Sequence, residues 1–142
     1  MRFMLLVKAD ERSEAGVPPS KELIAAMGAF NEEMAKAGVM LAGEGLHPSS
    51  KAARIAYAGA KRTVTDGPFT ETKELIAGYW VIQVSSKEEA IDWASRAPFE
   101  DGHVEVRQVL ESSDFPADVF PPEEAAREDA LREQMRRNVS KT

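Results

Sequence analysis

The chain changes its hydrophobic period in a set order, and that order restricts the folds open to it. Residues 2–8 alternate, with Phe3, Leu5 and Val7 on one side and Met4 and Leu6 on the other. A strand apolar on both faces belongs inside a sheet. Ser20 then stands as an N-cap, and Leu23, Ile24, Met27, Phe30 and Met34 recur at helical spacing as far as Gly38. Residues 39–46 are extended again and stop at His47-Pro48, because proline donates no ladder hydrogen bond and restricts the residue before it. From Ile76 the run Gly78-Tyr79-Trp80-Val81-Ile82-Gln83-Val84 is β-branched and aromatic, the strongest strand pattern in the chain. Ser86-Lys87-Glu88-Glu89 reads as a capping box, and the stripe Ala90, Trp93, Ala94 and Ala97 makes a second helix that Pro98 ends. Residues 104–110 supply a last strand.

Strand, helix, strand, strand, helix, strand is the ferredoxin-like βαββαβ order, an α+β architecture with helices on one face of an antiparallel sheet. A β-hairpin is inserted, with residues 54–58 and 62–65 joined by Gly59-Ala60-Lys61. The sheet face without helices needs cover, and a second copy of the chain would supply it as a two-fold homodimer. Residues 111–142 differ in character. A Ser-, Asp- and Pro-bearing linker leads to Pro121-Pro122, and residues 123–137 place acids early and arginines late, which suits the helix dipole. The weak stripe of Ala126, Ala130, Leu131 and Met135 makes this a peripheral helix. The expected division is therefore a domain over 1–110 and a linker with a helical extension over 111–142.

Composition narrows function. A chain of 142 residues, 43% hydrophobic and 30% charged, can bury a core without disulfides. A net charge of −6 opposes direct nucleic-acid binding, which relies on cations to displace counterions from phosphates. Lys51, Arg54, Lys61 and Arg62 form a local positive surface, read as a solvated hairpin or as a patch for a small anion. The absence of cysteine removes thiolate chemistry and sulfur-ligated metals and suits a reducing compartment, so the cytoplasm is expected. No apolar run approaches the ~20 residues that span a bilayer, and no membrane association is expected. With two histidines a histidine-rich metal site is excluded, and no phosphate-binding loop or serine triad is present, so no metal or cofactor is expected.

The most informative stretch is Asp66-Gly67-Pro68-Phe69 followed by Glu71-Thr72-Lys73-Glu74. Asp-Gly-Pro is a turn on its own chemistry. Glu71, Lys73 and Glu74 fall within one helical turn of each other, where carboxylates and an ammonium interact, either as a solvated cluster or as part of a site. Gly43 and Gly45 share a strand face and leave room there for a ligand or a close backbone. Glu44 falls on the other face with Met40, Ala42 and Leu46, and is expected at an edge or paired with a cation such as Arg107. Trp80 and Trp93 sit in core patterns, and His103 is expected to face solvent.

Leu46-His47-Pro48, the run from Asp66 to Glu74, Gly78-Tyr79-Trp80, Glu89-Ala90-Ile91-Asp92-Trp93 and Glu105-Val106-Arg107 together resemble the YCII-related family in its DGPF branch. Gln108 departs from that branch, which commonly ends Glu-Val-Arg-Pro, so the last strand is expected to run on toward Leu110. The resemblance covers about residues 1–110 and implies a dimeric α+β barrel of two ferredoxin-like subunits. It implies a His/Asp active-site pair, which falls on His47 and Asp66, and a link in some members to extracytoplasmic-function sigma factors. An imidazole titrates near neutrality and a carboxylate can orient it, so His47 could move a proton with Asp66 behind it; the other reading makes His47 a turn residue before proline. Two functions follow. One is a cofactor-free lyase or isomerase acting on a small organic acid, with Lys73 holding the anion and Glu71, Glu74, Gly43 and Gly45 around it. The other is a non-enzymatic binding or regulatory module with a partner such as a sigma factor.

Overall fold

A computed structural model of the chain describes residues 1–70 and 74–140. In chain order its elements are β1 (Arg2–Lys8), the one-turn helix α1 (Glu11–Glu14), α2 (Lys21–Lys36), β2 (Met40–Gly45), β3 (Ala53–Ala58), β4 (Lys61–Asp66), β5 (Ile76–Gln83), α3 (Lys87–Ser95), β6 (Val104–Gln108) and α4 (Pro122–Ser140). Short 3-10 turns occupy Ser49–Lys51 and Ser112–Asp114. Residues up to Val109 form one compact unit, and those from Leu110 onward form another.

In the first unit four strands make an antiparallel sheet in the order β2-β5-β1-β6, the ferredoxin-like topology. β1 and β5 are its two inner strands, as their apolar character on both faces requires. Register sets the faces. Phe3 pairs with Ile82, Leu5 with both Trp80 and Val106, and Val7 with Val104, and this face meets Phe30 and Met34 of α2 and Ala90 and Trp93 of α3 in one core. Phe3, Leu5, Met34 and Ile82 are completely enclosed. Each such side chain contributes roughly 1.5–3 kcal/mol by leaving water. The opposite face carries Met4 against Val81 and Leu6 against Tyr79, all partly exposed.

α2 begins where Ser20 Oγ accepts the Leu23 N–H, and Gly38 follows its cap at φ +74°, a conformation glycine takes without strain. The inserted hairpin turns in two residues, Gly59-Ala60, rather than three, so Lys61 joins the ladder opposite Ala58. Gly59 has the positive φ that the first position of such a turn needs. A bulge between Met40 and Ala42 moves Met40 to the core face, opposite Ile82, and separates it from Ala42 and Glu44. The β6 ladder ends at Gln108, with one further bond from the Val109 N–H to the Arg2 carbonyl, short of Leu110. In the second unit Phe115 and Phe120 stack at 5.7 Å, and α4 is laced by Glu–Arg pairs along its exposed surface. Among the described residues no helix is long and apolar enough to cross a membrane.

The expected capping box at α3 closes differently. Ser86 Oγ accepts the Glu89 N–H, but the Glu89 carboxylate reaches one residue further back, to the N–H (2.8 Å) and hydroxyl (2.7 Å) of Ser85. The Ser85 N–H holds Glu89 below the ordinary carboxylate value of 4.5, and the Ser13 N–H acts likewise on Asp10 ahead of α1. Because each folded-state value is depressed, the stability these groups contribute is complete above the ordinary value and lost as pH falls through the folded one. Glu89→Gln is therefore expected to flatten the decline in stability as pH falls from 4.5 downward. Urea midpoints measured across that range test this, and equal slopes for the two proteins would refute it.

Candidate functional site

One end of the sheet carries Gly45, His47 and Glu74 of the groups singled out in the sequence. The C-terminal ends of β1 and β2 and the N-terminal ends of β5 and β6 meet there, with Lys8 opposite Ile76, Gly45 opposite Gly78 and Val7 opposite Val104. β2 runs on by one bond, from the Leu46 N–H to the Ala77 carbonyl, and His47 follows at the rim, exposed. Pro48 then turns the chain into the 3-10 turn at Ser49.

Ser49 is the buried polar side chain of the described residues, at 7% exposure, and it ties three segments together. Its N–H donates to Glu14 Oε2 at 3.0 Å, and its hydroxyl donates to Glu14 Oε1. The same hydroxyl oxygen accepts the Phe69 N–H at 3.1 Å. A carboxylate with two donors and a hydroxyl used both ways leave this contact fully paired. The Gly67 N–H donates to the Ala52 carbonyl at 2.8 Å, the Gly67-Pro68 bond that follows is cis, and Phe69 is buried beneath the Arg54 guanidinium, 3.9 Å from its ring centroid. A Cβ at Gly67 would stand 1.7 Å from the Ser49 carbonyl oxygen. The Asp-Gly-Pro-Phe turn is thus seated directly on the segment that carries His47.

Asp66 closes β4 opposite Ala53 and is exposed, as His47 is. Seating Gly67 on Ser49 brings the two onto one rim, but among the described residues no hydrogen bond or ion pair joins them. Glu71 and Lys73 lie outside the described residues. Glu74 is exposed, and its carboxylate lies 3.8 Å from Lys8 Nζ, which is equally far from Glu105. Lys8, Glu74, Glu105 and His103 line a cleft of about 430 Å³ at this end of the sheet. Loose pairs of this kind, one partner 79% exposed, add little stability and leave the ammonium able to meet an anion.

The two glycines part company. At Gly43 the place of a Cβ is taken by Trp80 Cδ1 at 2.6 Å and Met40 Cε at 2.7 Å, so the room expected for a ligand there is filled by packing. At Gly45 nothing stands within 4 Å. The expected Glu44–Arg107 pair does not form, because the two lie on opposite edge strands; Arg107 bonds Glu105 at 3.3 Å instead. His103 is exposed, and both tryptophans are buried. Sequence reasoning missed Glu14, Ser49, Lys8 and Glu105. Of these only Lys8 carried a signal, as the charge that closes a run of apolar residues. Among the described residues no cluster of three or more His, Asp or Glu is placed to hold a metal ion.

Residues 1–113 match the family model of the YCII-related domain. Over 65 residues the chain is 40% identical to an uncharacterised protein of Rhizobium meliloti (strain 1021), a match covering 44% of this chain and 52% of that relative. The chain spans about half the length of the curated relative it matches.

Proposed function

The chain belongs to the YCII-related family, and from that premise we propose that it binds a small organic acid at the rim of the sheet and moves a proton on it without a cofactor. In this reading it is a lyase or isomerase. His47 takes and returns the proton, Asp66 orients the imidazole once substrate closes the gap, and Lys73 and Lys8 hold the anion, with Glu71 and Glu74 beside them. The observation that supports it most is the seat of Gly67 on Ser49, which puts the turn bearing Asp66 against the segment bearing His47. Two copies pair through Met4, Leu6, Tyr79 and Val81, which enclose the open face and leave the rims at its ends.

The test is a screen of aliphatic and aromatic carboxylates followed by kinetics on any compound turned over. His47→Ala is expected to lower the rate by about a hundredfold or more with the fold intact, in the range of general acid–base catalysis. Turnover at the wild-type rate in His47→Ala would end the reading. A second reading has its own observation: residues from Leu110 onward form a separate unit whose helix is charged and poor in apolar surface. That suits a regulatory module that engages a protein such as a sigma factor. Failure to turn over any carboxylate, together with capture of a sigma factor through residues 110–142, would favour it.

A further inference from the structure

We propose that the β3–β4 hairpin is an arm that docks into the groove between α3 and β6 of a second copy of the chain. All twelve residues of its two strands are exposed. Isolated two-stranded hairpins are marginal in water, and this one presents an apolar face: Ile55 lies directly opposite Val64, with Tyr57 beside them, at 51%, 65% and 71% exposure. Arg62 lies over the Tyr57 ring at 4.7 Å, which stiffens the arm toward its tip. An arm shaped in this way and left uncovered has a surface to meet.

The groove has the matching character. Ile91, Ala94, Phe99 and Val106 give it apolar walls, Glu100 and Asp101 stand at its rim, and its volume is about 440 Å³. It lies along β6, an edge strand whose outer side is unpaired among the described residues. Charge favours the fit. Residues 51–66 carry four cations and one carboxylate, net +3, which leaves −9 on the rest of a chain whose total is −6. A second copy therefore offers the arm a surface of opposite sign.

The arm does not fill its own groove, whose lining includes none of its residues. It leaves the sheet from the β2 edge, with its base fixed by the Gly67–Ala52 bond and by Phe69 under Arg54. The groove borders the β6 edge, three interstrand spacings away, about 14 Å. A reciprocal exchange, each arm in the other's groove, closes as a two-fold pair. This goes beyond the pairing of open faces proposed above and adds a clasp at its edges.

Charge reversal on either surface, and then on both, tests the contact. Lys61→Glu on the arm and Glu100→Lys at the groove are each expected to weaken the dimer about tenfold in sedimentation equilibrium at low salt, and the pair together to restore most of the loss. Val64→Ser, which changes the apolar face without adding charge, is expected to weaken it without rescue by Glu100→Lys. Circular dichroism confirms that each exposed-site variant is folded. A dimer whose affinity none of these changes alters would overturn the arm contact and leave the sheet pairing and the His47 chemistry standing. Weakening without restoration in the double variant would also overturn it, and so would a wild-type chain that stays monomeric at micromolar concentration.

Discussion

Gly67→Ala is expected to destabilise the first unit by about 3 kcal/mol, the upper end of the usual cost of overpacking. The new methyl group would stand 1.7 Å from the Ser49 carbonyl oxygen and 2.7 Å from its carbonyl carbon. Both are backbone atoms, so no rotamer change makes room. Moving them disturbs the Ser49 bonds to Glu14, the Phe69 N–H bond to Ser49 and the Gly67 bond to Ala52 together. Two comparisons isolate the cause. Ser49→Ala keeps the space and the backbone N–H bond to Glu14 Oε2 but leaves the Phe69 N–H without its acceptor and Glu14 Oε1 without its hydroxyl donor, at a cost of about 1–3 kcal/mol. Gly45→Ala, with nothing within 4 Å of the new atom, is expected to stay within about 0.5 kcal/mol of wild type. Urea unfolding of the three variants gives the order; if Gly67→Ala proves no weaker than Gly45→Ala, the turn is not seated as described.

That glycine also shows where sequence reading stops. The residues Asp66-Gly67-Pro68 announced a turn through their own backbone preferences, and a turn is what they form. The reason glycine is required lies eighteen positions away in the chain, at Ser49, a residue that in Pro48-Ser49-Ser50-Lys51 looks like any loop serine. Periodicity carries elements and faces because each is encoded within a few neighbours, so the strand and helix order apart from the one-turn α1, the inner places of β1 and β5 and the buried tryptophans were legible. Contacts between distant segments leave no periodic trace. Glu14 and Ser49 were invisible for that reason, and the bulge at Met40 and Ala42 broke the alternation on which the placing of Met40 depended. At the rim, His47 and Asp66 could be named and assigned to strand ends, but their shared position depends on the Gly67–Ser49 seat.

Trp80→Ala is expected to cost about 3–5 kcal/mol, the range for emptying a large aromatic site. The indole is 5% exposed, meets Phe30 edge to face at 5.4 Å and Phe99 at 6.2 Å, and donates its Nε1–H to Asn31 Oδ1 at 2.9 Å. Asn31→Ala removes only that acceptor and is expected to cost about 1 kcal/mol, so most of the Trp80 loss is packing. The ring also occupies the place of the missing Cβ at Gly43, which makes the two positions one unit. Gly43→Ala alone forces the indole or the Met40 methyl aside and should destabilise by about 1–3 kcal/mol. In the Trp80→Ala background only the Met40 methyl, the end of a flexible side chain, still stands in the way, and the cost of the same change should fall, so the double variant is less than additive. Full additivity in urea unfolding would show that Gly43 is not reserved for the indole and would reopen that strand face to a ligand.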